Sequence, residues 1–241
     1  MNQKLDIPEP VVDNSCPSDP SPEIANLNPV LWYSSTNFNE TNGQINQLNP
    51  MGSTSVPAIS TSGRETSLEK NAYENCPAIV TNGDNMIANY NLGREVTYVF
   101  VGRAINGTNN FAPFSTYRND YNGGLFIRSN NSYVGAHGRP TGDDYLYVDA
   151  TGTDNGNPII GVAIANDSYI QAFMNGTWST KLNTGSFYRD TTSVINVMGD
   201  LIQGKSFVSY GKSYELIMFN RALTVSEVDI VYQALKEKYN L

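Results

Sequence analysis

Apolar and polar residues alternate in short runs along most of this 241-residue chain, a period of two that predicts β-strands. The clearest run is Glu95–Val101, EVTYVFV. Val96, Tyr98 and Phe100 alternate with Thr97, Val99 and Val101, so both sides are largely apolar, as in a strand buried on both faces. Further strands are predicted at Gly124–Arg128, Tyr133–Ala136, Tyr145–Val148, Ile159–Ala165, Tyr169–Asn175, Val194–Gly199 and Tyr214–Asn220. Turn signals separate them, among them Asn106-Gly107, Asn122-Gly123-Gly124 and Asn155-Gly156. Asn175-Gly176 lies between YIQAFM and TWST and is the strongest hairpin signal, because a type I′ turn needs two residues that tolerate positive φ. The period becomes helical only at the end of the chain. Thr224 and Glu227 have the spacing of a capping box, and Val228, Val231, Leu235 and Tyr239 then share one face. This helix is expected to close an edge or end of the β-structure.

Composition supports strands and turns. Charged residues make up 16% of the chain against about 25% in an ordinary domain, and polarity comes from 30 Asn, 21 Ser and 18 Thr. The net charge of −8 argues against nucleic-acid and anionic-membrane partners, which need a basic footprint. No stretch reaches the roughly 20 apolar residues of a membrane span. The first residues contain no apolar segment of a secretory signal, so an extracellular role implies another route or a particle. Residues 1–27 stand apart as a Pro-rich acidic arm, with five acids against Lys4 alone. In isolation such a segment is extended. It either lies along its own domain or anchors the domain, 28–241, into a larger assembly. Cys16 and Cys76 lack metal-ligand spacing and are compatible with one disulfide or with two thiols.

The C-terminal run SYELIMFNRALTVSEVDIVYQALKEKYNL resembles the ending of bacterial and phage laminin-G-like domains of the concanavalin A-like lectin/glucanase superfamily. The matching residues are Glu215, Leu216, Phe219, Asn220, Arg221, Ala222, Leu223, Glu227 and Tyr239. Asn28–Trp32, Cys76–Val80 with Asn82–Asn85, and Glu95–Arg103 resemble earlier segments of the family in the same order. The resemblance covers residues 28–241. It implies an all-β antiparallel sandwich of jelly-roll type, concanavalin A-like, with one C-terminal helix behind an extended N-terminal arm. Leu216, Met218 and Leu223 would fill its core, Trp32 would be buried, and Arg221 would pair with an acid or cap carbonyls.

The superfamily includes glycan hydrolases, which present paired carboxylates on one strand face. No such run occurs here: Glu215 is followed by four apolar residues, and the adjacent Asp143 and Asp144 would point to opposite faces of a strand. His137 is the only histidine, which excludes a multi-histidine metal site, and its Gly-rich context reads as a loop. No catalytic residue is assigned. Glycan binding fits better, because aromatic rings stack on apolar sugar faces while amides and carboxylates bond hydroxyls. The candidates are Tyr117, Tyr121, Tyr133 and Tyr145, in an Asn- and Asp-rich segment that also holds Tyr147, together with Trp178 just past the Asn175-Gly176 turn. Laminin-G-type domains also hold calcium in rim loops, for which the resemblance offers Asp120, Asp143 and Asp144, with Asp149 and Asp154 nearby.

The expected function is therefore a non-enzymatic, virion-associated module of bacteriophage type at the particle surface. It would contact surface glycans, and residues 1–27 would dock to capsid, tail or fibre proteins. A homo-oligomer is compatible with the sequence, which has no coiled-coil heptads to enforce one. The rival readings are a ligand-free decoration or cement protein, a cellular lectin-like adhesion module and a glycan hydrolase.

Overall fold

The computed structural model describes residues 16–17, 20–60, 66–82, 86–105, 111–117, 124–128, 131–138, 146–183, 194–198, 200–202, 205–207 and 210–241. Short helix α1 (Pro22–Ala25) leads into strands β1 (Leu31–Ser34), β2 (Phe38–Thr41), β3 (Gln44–Leu48), β4 (Ala58–Ser60), β5 (Thr66–Tyr73), β6 (Cys76–Asn82) and β7 (Met86–Asn89). β8 (Val96–Ala104), β9 (Phe111–Tyr117), β10 (Gly124–Arg128), β11 (Tyr133–Gly138), β12 (Leu146–Thr151) and β13 (Ile159–Ala165) follow. The chain ends with β14 (Tyr169–Met174), β15 (Thr177–Trp178), β16 (Leu182–Asn183), β17 (Val194–Val197), β18 (Asp200–Ile202), β19 (Lys205–Phe207), β20 (Tyr210–Phe219) and helix α2 (Val225–Lys238).

The strands form two large antiparallel sheets and one small hairpin, β18–β19. The first sheet runs β15-β14-β13-β8-β20-β6-β5, with β1 also on β20 and β16 also on β14. The second runs β12-β11-β10-β9-β17-β7-β4-β3-β2. Neighbours distant in sequence, β8 with β20 and β9 with β17, give the sandwich its jelly-roll connectivity. Between the sheets, Tyr98 and Phe100 of β8 meet Phe114 and Phe111 of β9, each pair with ring centroids 5.4 Å apart. Leu125, Ile127, Val134, Ile195, Leu216 and Met218 complete this core.

A second core lies on the outer side of the first sheet. Val99 and Val101 of β8, with Ile160, Val162 and Ile164 of β13, point away from the sandwich and are covered by Val228, Val231 and Leu235 of α2 and by Tyr239 just after it. The helix thus covers a sheet face, where the sequence placed it at an edge or end. The cause is the two-sided apolar character of β8 and β13, which leaves a face that water would otherwise wet. A bulge in β20 between Ser213 and Glu215 brings Tyr214 as well as Ile217 and Phe219 to this side. At the start of α2 the capping box is formed. The Thr224 hydroxyl accepts from the Glu227 amide at 3.3 Å, and the Thr224 amide donates to Glu227 Oε2 at 2.8 Å. Arg221 pairs with Glu227 at 2.8 Å.

The later part of the arm packs on this helical layer. Cys16 is disulfide-bonded to Cys76 of β6, with Cα atoms 4.6 Å apart. Ile24 of α1 is fully buried in the second core. The described part of the arm, residues 16–17 and 20–27, is thus joined to the domain through Cys76 and the second core.

Candidate functional site

The segment that carries most of the predicted tyrosines folds into consecutive strands of the second sheet, β9 to β12. Registers decide which residues share a face. Val134, Ala136, Leu146, Val148 and Ala150 point into the core. The alternate residues of β11 and β12 therefore point outward. Tyr147 is 56% and Tyr133 is 37% exposed, and both stand on this outer face. Asp149 shares it, being two residues from Tyr147 and opposite Gly135. Phe126 of β10, also opposite Gly135, extends the row and is nearly buried. Farther across, Ser115 of β9 faces Asn196 of β17, whose amide Nδ2 donates to Ser115 Oγ at 3.2 Å. Both are buried although they belong to the outer face. At the β12 edge the face thus offers two aromatic rings and a carboxylate, a combination that stacks on a sugar and bonds its hydroxyls.

The other predicted residues are distributed differently. Tyr117 ends β9 opposite Val194. Tyr121 and Tyr145 lie outside the described residues, as do the three aspartates offered for calcium, Asp120, Asp143 and Asp144. Asp154 is engaged by protein donors: Arg103 at 3.1 Å, Asn131 Nδ2 at 3.3 Å and the Gly156 amide at 2.9 Å. Among the described residues, no group of three or more His, Cys, Asp or Glu is placed to hold a metal ion. His137, read as a loop residue, is in β11, paired across to Tyr147 and Gly124. The glycines beside it, Gly135 and Gly138, are strand residues of β11 as well.

Trp178 stands on the opposite side of the molecule from Tyr133 and Tyr147. It is in β15 of the first sheet, opposite Phe173, on the outward face that the helix covers. The Asn175-Gly176 turn before it is formed as predicted, with φ of +45° and +95°. The tyrosine and tryptophan candidates therefore do not converge on one site. Tyr147, which the sequence placed in this segment without selecting it as a candidate, is the most exposed ring among the described residues. Its two-residue spacing from Tyr145 and Asp149 was the available signal.

Glu215 is the one charged residue among the fully buried side chains described. Its carboxylate accepts from Trp32 Nε1 at 2.5 Å and from the Tyr239 hydroxyl at 3.2 Å, and it pairs with the Lys238 ammonium. These partners come from β1 and from the end of α2, so the cluster ties the helix to the sheet. Burial, reinforced by the nearby carboxylate, pushes the Tyr239 phenol well above the ordinary tyrosine range and keeps it a neutral donor.

No family model matches the chain, and no curated protein matches it. Solved structures do. The botulinum neurotoxin serotype D ligand-binding domain in complex with N-acetylneuraminic acid aligns with a TM-score of 0.59 at 13% identity, over 88% of this chain and 52% of that one. The binding domain of botulinum neurotoxin DC in complex with rat synaptotagmin II aligns with a TM-score of 0.61 at 10% identity, over 88% and 52%. The serotype G binding domain aligns with a TM-score of 0.60 at 15% identity, over 87% and 51%. This is a likeness of fold, and this chain spans about half the length of those chains.

Proposed function

We propose that this chain is a non-catalytic β-sandwich module that holds glycans on the outer face of its second sheet. The observation that carries the reading is the grouping of two exposed rings, Tyr133 and Tyr147, with Asp149 on one sheet face. Aromatic stacking there is worth about 1 kcal/mol per ring beyond area, and each carboxylate bond to a hydroxyl adds about as much. The solved structures of like fold are binding domains, one in complex with N-acetylneuraminic acid and one with rat synaptotagmin II, and this chain matches about half of each. The deepest carboxylate, Glu215, is held by three structural donors, which fits a fold role and not general acid catalysis.

The setting in this proposal is the surface of a virion of bacteriophage type, and the domain is of laminin-G-like descent. The C-terminal motif supports the descent. The disulfide supports an exposed, oxidising location, because such bonds persist at virion and cell surfaces. Within residues 1–27, the part upstream of Cys16 is the proposed contact to a capsid, tail or fibre partner. Asp120, Asp143 and Asp144, which lie outside the described residues, are the proposed calcium ligands. The test is a glycan array on the full chain, with and without calcium, beside Tyr133→Ala/Tyr147→Ala. Binding of a defined glycan class that the double variant loses supports the reading. Absence of any binding overturns it in favour of a ligand-free decoration protein, and binding of every glycan unchanged in the variant overturns the assignment to this face.

A further inference from the structure

The outer face of the first sheet is not wholly covered by α2. Toward the β14–β15–β16 edge, an aromatic strip remains half-exposed. Tyr169, Gln171 and Phe173 alternate along β14 and so share one face, with Trp178 beside Phe173. Phe173 is buried because two rings stand edge-on to it: Trp178 with its centroid 5.0 Å away and Tyr232 of α2 at 5.2 Å. Trp178, Tyr169 and Tyr232 each keep part of their surface in solvent. Tyr169 and Phe173 are four residues apart on a strand, which makes the strip about 13 Å long. Polar groups line it as well. Gln171 Nε2 donates to the Ser179 carbonyl at 3.1 Å, and the Ser179 hydroxyl accepts from the Ala172 amide at 2.9 Å.

The charges around this strip are unusual for the molecule. Arg94, Arg103, Lys212, Arg221 and Lys238 each pair with a carboxylate. Lys70, Lys181 and Lys236 pair with none among the described residues. Of these three, two sit on the strip: Lys181 Nζ lies 4.2 Å from the Tyr169 ring centroid, and Lys236 Nζ lies 5.9 Å from that of Tyr232. The acid nearest the Tyr169 end in sequence, Asp167, is turned to Arg94 at 3.7 Å. A protein of net charge −8 thus places two lysines, neither with an ion pair among the described residues, at the two ends of one aromatic strip. Each is held over a ring by cation–π attraction and keeps ammonium donors for a further anion.

We infer that this strip is a second saccharide site, separate from the Tyr133–Tyr147 face, and that it takes a carboxylated oligosaccharide. The rings of Trp178, Tyr169 and Tyr232 contact apolar sugar faces, and Lys181 and Lys236 bind carboxylates. The length of the strip favours an oligomer over a single sugar.

The test is calorimetric titration of the full chain with 3′-sialyllactose, with trigalacturonate and with lactose as the neutral control. At least one acidic probe binds about tenfold or more tightly than lactose, a ratio that one charge-assisted lysine–carboxylate contact is enough to supply. Lys181→Gln/Lys236→Gln removes that preference while keeping the melting temperature. Trp178→Ala weakens binding of the acidic probe about tenfold. Tyr133→Ala/Tyr147→Ala leaves the acidic-probe affinity unchanged, which separates this site from the first. Equal affinity for lactose and both acidic probes, an unchanged preference in the double lysine variant, loss of acidic binding in the tyrosine variant, or no binding of either acidic probe overturns the inference.

Discussion

Replacing Glu215 tests whether the carboxylate cluster under α2 acts as one unit. Glu215→Gln keeps the volume and an acceptor for Trp32 Nε1, but it removes the counter-charge from Lys238, whose side chain is 6% exposed. Lys238→Met does the reverse and leaves a fully buried carboxylate with only two neutral donors. Stranding one member of a buried pair costs about 3–5 kcal/mol, so each single variant should lose that much. In Glu215→Gln/Lys238→Met no charge is buried at all. Its loss should be about 1–2 kcal/mol, less than either single change, because the desolvation penalty of both ions disappears with their attraction. Thermal unfolding reads this directly. At about 2–4 °C per kcal/mol for a chain of this size, the singles melt about 10 °C below the parent, and the double variant lies between. Additive losses in the double variant, or singles within about 1 kcal/mol of the parent, would refute the coupling.

Three further outcomes are expected. Reduction of the Cys16–Cys76 disulfide, which spans a 60-residue separation, opens a loop whose closure is worth about 4 kcal/mol and lowers the melting temperature by about 10 °C; a shift within about 2 °C would show that the arm frays without load. Gly176→Ala costs about 1 kcal/mol in a urea melt, through its φ of +95° and not through a clash, since the nearest atom to an added Cβ is 3.5 Å away. The Arg221 guanidinium and the Thr224 amide hold the Glu227 carboxyl down at about 2, so its stabilising contribution is full above the unfolded carboxylate range near 4 and is lost as pH falls toward 2. Glu227→Gln should flatten the acid limb of the stability profile, and a limb of unchanged slope would count against the pairing.

Local chemistry made part of this fold readable. β10 and β13 start and end where the sequence placed them, because Gly or Asn turns flank short apolar runs. The capping box and the stripe of α2 were legible for the same reason. β9 was not, since Pro113 interrupts its pattern, although its carbonyl still accepts from the Met198 amide at 2.9 Å. β2 is mostly exposed and polar, and β3 buries only Ile45 and Leu48, three residues apart, so neither shows a clean alternation. The disulfide joins residues whose proximity depends on the whole arrangement of α1, β6 and the helical layer, which no local signal encodes. The same limit governed the site. Aromatic residues were identified by type, but assigning Tyr133 and Trp178 to different sheets requires knowing which strands cross over.

That crossover decides where ligands find room. β8 and β13 are apolar on both faces, so the first sheet needs a cover, and α2 supplies it with Val228, Val231 and Leu235. A helix of 14 residues is about 21 Å long and cannot blanket a wide twisted sheet. The uncovered remainder falls at the β14–β15 edge, where bare aliphatic residues would be a liability and amphipathic rings are tolerated. Trp178, Tyr169 and Tyr232 meet that demand. β11 and β12 of the second sheet solve the exposure problem by alternation instead, with Val134 and Ala150 turned inward and Tyr133 and Tyr147 outward. Exposed aromatics therefore arise on both sheets for different physical reasons. A ligand role is established only where a substitution that preserves the melting temperature removes binding.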